Sequence, residues 1–177
     1  MNIRHELWRA RQYLSIDPTA SLAIANDVVT EIELDSSQVH HAVVVLAEAL
    51  RLVGLHTEIV ALVEACRERF PRSAELAYRK ALAHQCLDQH AEMFAAYDAC
   101  LAIGDESSHL CTSGAGTWLP FHQLGLFAEA HGDARTARQL YTKALAMSGY
   151  LPTAERLAFL EIMRMHVREA RRQAVAA

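Results

Sequence analysis

Ten histidines and four cysteines (Cys66, Cys86, Cys100 and Cys111) are the residues of this 177-residue chain with most to offer chemically. A metal ion would need them as two-ligand knuckles at tetrahedral spacing. His84, Cys86 and His90 come nearest, but Leu87-Asp88-Gln89 falls among them as a turn, which breaks the i,i+4 geometry that would aim them at one ion. His109 and Cys111 have no two further ligands close by in sequence, and no CxxC pair occurs. The histidines read as helix-surface and turn residues, and no metal or cofactor is expected.

A nucleophilic cysteine needs a neighbouring base and a depressed pKa. Cys66 and Cys100 instead share a register position with Ala144, a slot for a small apolar side chain that free Cys fills. Gly114-Ala115-Gly116 opens a helix from Thr117 in the manner of a phosphate-cradling loop, yet it lacks the lysine of a P-loop and the preceding strand of a dinucleotide fold. It reads as a loop needing permissive dihedrals, with Trp118 and Phe121 as packing residues. No acid/base or nucleophile constellation stands out, so the chain is not expected to be an enzyme.

Composition points to elements rather than chemistry. Apolar residues are 52 % and charged residues 21 %, with only seven Gly and four Pro, which favours long helices in an ordered chain. The net charge of −4 is scattered, which argues against nucleic acid, since phosphate neutralisation needs a clustered basic surface. Arg164, Arg168, Arg171 and Arg172 are the one basic cluster and read as the solvated face of a last helix. The residues after Met1 lack the apolar core of a secretion signal, and the longest uncharged apolar run, Ala42 to Ala47, is too short for a bilayer. With no CxxC pair, the expected setting is the cytoplasm, without membrane insertion.

Turn signals divide the chain into segments of helical length. They fall at Ile16-Asp17-Pro18, Asp35-Ser36-Ser37, Gly54-Leu55-His56, Phe70 to Ser73, Leu87 to His90, Gly104 to Gly116, His131-Gly132-Asp133 and Gly149 to Pro152. Val43, Leu46, Ala47 and Leu50 show the i, i+3, i+4, i+7 stripe of an amphipathic helix, as do Phe121, Leu124, Gly125 and Ala128. No segment alternates with period two, so no strand is predicted. Tyr13, Ala47, Ala81 and Gly125 align with steps of 34, 34 and 44 residues. Val29, Val63, Tyr97 and Tyr141 follow the same register, and 34 residues is the period of a helix–turn–helix repeat.

His122 to Leu145 resembles a tetratricopeptide (TPR) unit. It has Leu124-Gly125 in the first helix, the Gly132-Asp133 turn, small Ala137, aromatic Tyr141 and a closing Ala-Leu. The resemblance implies an all-α, TPR-like right-handed superhelix forming a single domain over 1–177. Its units would cover about 3–36, 38–71, 73–104 and 116–149, with an insertion at 104–116 and a capping helix at 152–173. A narrower likeness runs through Cys100-Leu101, Gly104-Asp105-Glu106, Gly114 to Trp118 and Tyr150-Leu-Pro152-Thr-Ala154. It resembles the TPR tails that follow bacterial family-2-type glycosyltransferases. There is no room for the transferase domain and no Asp-x-Asp pair, so that likeness implies an accessory module alone.

In such a fold the first helix of each pair lines a concave groove. The residues off its packing stripe are His41, Val44, Glu48 and Arg51, then Glu75, Tyr78, Leu82 and Gln85, then Leu119, His122, Leu126 and Glu129. These twelve are the expected partner-binding groove, apolar at the centre and polar at the edges, suited to a peptide or helix of a protein partner. They do not match the Lys, Asn and Arg of the TPR groove that clamps acidic chaperone tails. Protein binding is the leading expectation. A glycosyltransferase accessory module is a second, and self-association into a homodimer through the stack ends is a third.

Overall fold

A computed structural model describes residues 3–30, 36–105 and 113–176, the side chains of 36, 171 and 174–176 aside. The described residues form nine helices and no strand: α1 (Ile3–Tyr13), α2 (Pro18–Val29), α3 (Ser36–Leu52), α4 (His56–Ala65), α5 (Ala74–Cys86), α6 (His90–Ile103), α7 (Trp118–Ala130), α8 (Ala134–Met147) and α9 (Leu151–Ala176). No described helix is long and apolar enough to cross a membrane. His109 and Cys111, and most of the predicted insertion, lie outside the described residues.

The helix starts follow from their capping residues. Asp17 accepts from the Thr19 and Ala20 amides while Pro18 takes the first helical position of α2. Ser73 accepts from the Leu76 amide at 3.2 Å, and Asp133 from the Thr136 amide at 3.0 Å. Between α5 and α6 the turn residue Asp88 takes φ 55°, at a place where the other turns carry Gly54 and Gly132. Aspartate tolerates this left-handed conformation better than most side chains.

The chain divides into two compact units, Met1–Gly116 and Thr117–Ala177. In the first, α1 pairs with α2 and α5 with α6, and α3 packs against α1, α2, α4 and α5. Accordingly α3 is buried nearly all round, from Val39 through Leu50, with Glu48 and His40 the partly exposed members. Ser21 on α2 donates to the Ala10 carbonyl at 2.7 Å, and His40 Nε2 meets Ser73 Oγ at 2.6 Å. In the second unit α8 packs against both α7 and α9 around Ala128, Ala137, Tyr141 and Leu160. Gly125 is required there, because a Cβ would lie 2.4 Å from Tyr141 Cε1. The close approach inferred from its small side chain is thus seen directly.

Candidate partner-binding surface of the first helices

Three first helices, α1, α3 and α5, bring side chains to one pocket of about 230 Å³ in the first unit. Arg11 comes from α1, Leu14 from the turn that follows it, His41, Val44, Val45 and Glu48 from α3, and Arg79 from α5. Positions 41, 44, 45 and 48 share one face of α3 because they are three, four and seven residues apart.

Glu48 is the hub of the charges. It accepts from Arg51 Nε at 2.9 Å and Nη2 at 2.7 Å, and from Arg79 Nη1 at 2.5 Å across to α5. Arg79 Nη2 also donates to Glu75 at 2.9 Å, whose side chain is fully buried. Burial alone would raise the Glu48 pKa, but Arg51 and Arg79 outweigh it and hold the carboxyl below its ordinary value. The network therefore joins α3 to α5 with fixed charges that line the pocket wall.

His41 keeps 9 % of its surface exposed, and its Nδ1 is sealed from solvent without a hydrogen-bond partner. Burial, with the nearby charges of Arg11 and His40, pushes its pKa down against a weaker opposing pull from Glu75. The imidazole is thus neutral at neutral pH. Among the described residues Arg11 has no ion-pair partner.

The pocket gathers three of the twelve groove candidates, His41, Val44 and Glu48, and Arg51 joins through its bonds to Glu48. Glu75 and Tyr78 are buried, and the Tyr78 ring lies 6.2 Å from that of Tyr97. Leu82 and Gln85 are half-buried, and Gln85 accepts from the Tyr97 hydroxyl at 3.2 Å.

In the second unit Leu119 and His122 are buried, Leu126 packs beside the Tyr141 cluster and Glu129 is half-buried. His122 Nδ1 meets the Thr153 hydroxyl of α9 at 2.9 Å, with the Tyr150 ring edge-on at 5.3 Å. Glu129 accepts from the Tyr141 hydroxyl at 2.7 Å and from Arg156 of α9 at 3.2 Å. These two side chains are engaged by the last helix.

Sequence reasoning missed Arg11, Leu14 and Arg79. Arg79 carried a signal, standing four residues after Glu75 and so on its helical face. Arg11 stands two residues before the register position Tyr13 and carried no such signal. A second groove of about 480 Å³, floored by Leu76 and Ala77 of α5 and walled by Val60 and Val63 of α4 and Ala96 and Ala99 of α6, was not anticipated either.

The described residues hold no cluster of three or more His, Cys, Asp or Glu that would take a metal ion. His84 Nδ1 is engaged by Gln89 at 2.7 Å, and Cys86 and His90 are exposed. Burial raises the Cys66 thiol and pushes Cys100 up to about 12, the reverse of what a nucleophile needs. At the glycine loop, Gly114 has φ 88° and its amide is held by the Asp105 carboxylate at 3.2 Å, so an aspartate occupies a donor that a phosphate would use.

No protein-family model matches the sequence, and no curated protein matches it. Solved structures do. A crystal structure of MamA aligns with a TM-score of 0.58 and 17 % identity over 89 % of this chain and 81 % of that one. MamA from residue 41 onward, from Desulfovibrio magneticus RS-1, gives 0.62 at 13 % identity over 98 % and 92 %. An RS-1 MamA double mutant gives 0.61 at 13 % identity over 92 % and 84 %. The fold is TPR-like. At such identities the likeness carries the path of the helices, an all-α array of helix pairs, and leaves the binding residues to this chain's own geometry.

Proposed function

We propose that this protein is an interaction scaffold without catalysis of its own, and that the first-helix face of the first unit receives a segment of a protein partner. One observation carries the reading. Helices from three successive pairs converge on a single open pocket whose charges are already fixed in place by the Glu48–Arg79 bridge. A preorganised mixed surface of this kind suits a peptide or helix better than a small cofactor. Leu82 and Gln85 of the first unit belong to the same proposal.

The test is capture from native cells with three forms of the tagged chain. Wild type is compared with Leu14→Lys in the pocket and with Ala99→Lys in the groove on the other helices. Loss of one defined partner with Leu14→Lys alone supports the reading. An unchanged set of partners with a folded Leu14→Lys chain removes this pocket as the working surface.

A second reading, self-association, has its own observation. Phe159, Ile162, Met163, Met165 and Val167 of α9 are exposed, Met165 to 67 %. A run of exposed apolar side chains on one helix is what a second copy covers. Sedimentation over a hundredfold range of concentration decides it, and a constant monomer mass sets it aside. The accessory role beside a glycosyltransferase rests on sequence likeness alone.

A further inference from the structure

We propose that the pocket between α1, α3 and α5 is an acid-reading site, gripping a glutamate side chain of an aliphatic–Glu–aliphatic peptide segment between the Arg11 guanidinium and the His41 imidazole. The proposal rests on the partner-binding reading above and names the chemistry of the partner.

Charge balance is the first argument. The pocket and the network behind it hold three guanidiniums, Arg11, Arg51 and Arg79, against two carboxylates, Glu48 and Glu75. Both carboxylates are taken up by Arg51 and Arg79. Arg11, on the opposite wall, is left with no acid among the described residues. An incoming carboxylate completes the set, whereas an incoming cation would meet three positive groups.

His41 supplies the second argument. It lines the pocket, is nine-tenths buried and forms no hydrogen bond within the described residues. With Nδ1 sealed, Nε2 is the nitrogen a ligand can reach, and a neutral imidazole with its proton there offers one N–H donor. A buried polar group without a partner is a cost that a ligand can remove. The charged and titratable groups around the ring are Arg11 from α1, His40 and Glu48 from α3, and Glu75 and Arg79 from α5.

The third argument is the apolar part of the pocket lining. Leu14 comes from the turn that follows α1, Val44 and Val45 from α3. An internal glutamate would bring aliphatic neighbours from both directions of its chain to these contacts, and a chain-terminal carboxylate from one only.

Binding would take up protons. In the free protein His41 titrates below its ordinary value, and a carboxylate beside it raises that value. Affinity therefore increases as pH falls from 8 towards 6, while the glutamate stays ionised.

The experiment uses the full chain and capped heptapeptides with Leu, Ile and Val around a central Glu, read by methyl and imidazole NMR shifts at pH 6 and pH 8. Matched peptides carry a central Gln, or Gln with a free C-terminal carboxylate. The expected result is that the Glu peptides shift the Leu14, Val44 and His41 signals and bind tighter at pH 6. They should bind roughly tenfold tighter than the Gln peptides, the size of one charge-assisted pair. Arg11→Gln should abolish that preference and, being exposed, leaves the fold intact; His41→Gln should abolish the pH dependence.

Equal binding of Glu and Gln peptides at these residues overturns the acid-reading site and keeps the peptide surface. Binding only by the free C-terminus also overturns it. No shift of any pocket signal with any peptide overturns the site and the partner-binding reading together.

Discussion

Glu48 and Arg79 stand 31 residues apart and meet at 2.5 Å, with Arg51 closing on the same carboxylate from the preceding side. One carboxylate thus carries a strut between neighbouring repeats in addition to the apolar packing there. The pair is mostly buried, so its loss leaves the Arg51 guanidinium without an acid and Arg79 with Glu75 alone.

Glu48→Gln should lower unfolding stability by about 2 kcal/mol, between the exposed and buried limits for ion pairs. Urea titration at pH 7 measures it. Because the folded-state pKa is depressed, the wild-type advantage is fully present above the ordinary carboxylate value. It fades as pH falls through the folded-state value. The two proteins should therefore converge below about pH 4, and a gap that stays constant with pH contradicts this account.

Gly125→Ala places a methyl carbon 2.4 Å from Tyr141 Cε1 in a buried site. Overpacking of this kind costs about 1–3 kcal/mol. Thermal unfolding of Gly125→Ala, Tyr141→Leu and the double variant should show the two costs to be less than additive, since leucine vacates the colliding ring position.

His122 is held below its ordinary pKa by burial and by the charge of Arg156, and it meets Thr153 at 2.9 Å. Its contribution is complete above the unfolded value near 6.5 and declines as pH drops from there towards the folded-state value. His122→Gln should flatten the stability profile in that window. Thr153→Val should cost about 1–2 kcal/mol at pH 8 through the lost buried hydrogen bond.

Thiol labelling should rank the cysteines by burial. Cys86 is exposed and should react first, Cys66 more slowly, and Cys100, with its raised pKa, only when α6 opens from α5. Peptide mass mapping after timed alkylation gives the order, and early labelling of Cys100 would contradict its placement.

Much of this architecture was legible because the repeat writes itself twice, as spacing and as punctuation. Gly125, Ala137 and Tyr141 were readable as a close helix approach from residue size alone, and Asp17-Pro18, Ser73 and Asp133 marked helix starts. The surface was less legible. Periodicity separates a buried stripe from its opposite face only when a helix has one covered side, and α3 is covered by four neighbours. His41 and Val44 therefore lie at the base of a pocket, and Tyr78 lies against Tyr97, where spacing alone places them on an open face. Glu129 and His122 were captured by Arg156 and Thr153, contacts of a last helix that has no repeat register to reveal them.

The four-sided enclosure of α3 also sets an order for loss of structure. Helices at the rim of the first unit can detach from one or two neighbours, but α3 cannot leave without stripping four others at once. Its amides should exchange with deuterium only through opening of the whole unit, and those of α1 and α6 through smaller fluctuations. Stability in this unit is therefore held collectively, and a partner seated on α1, α3 and α5 would slow exchange at α1 far more than at α3.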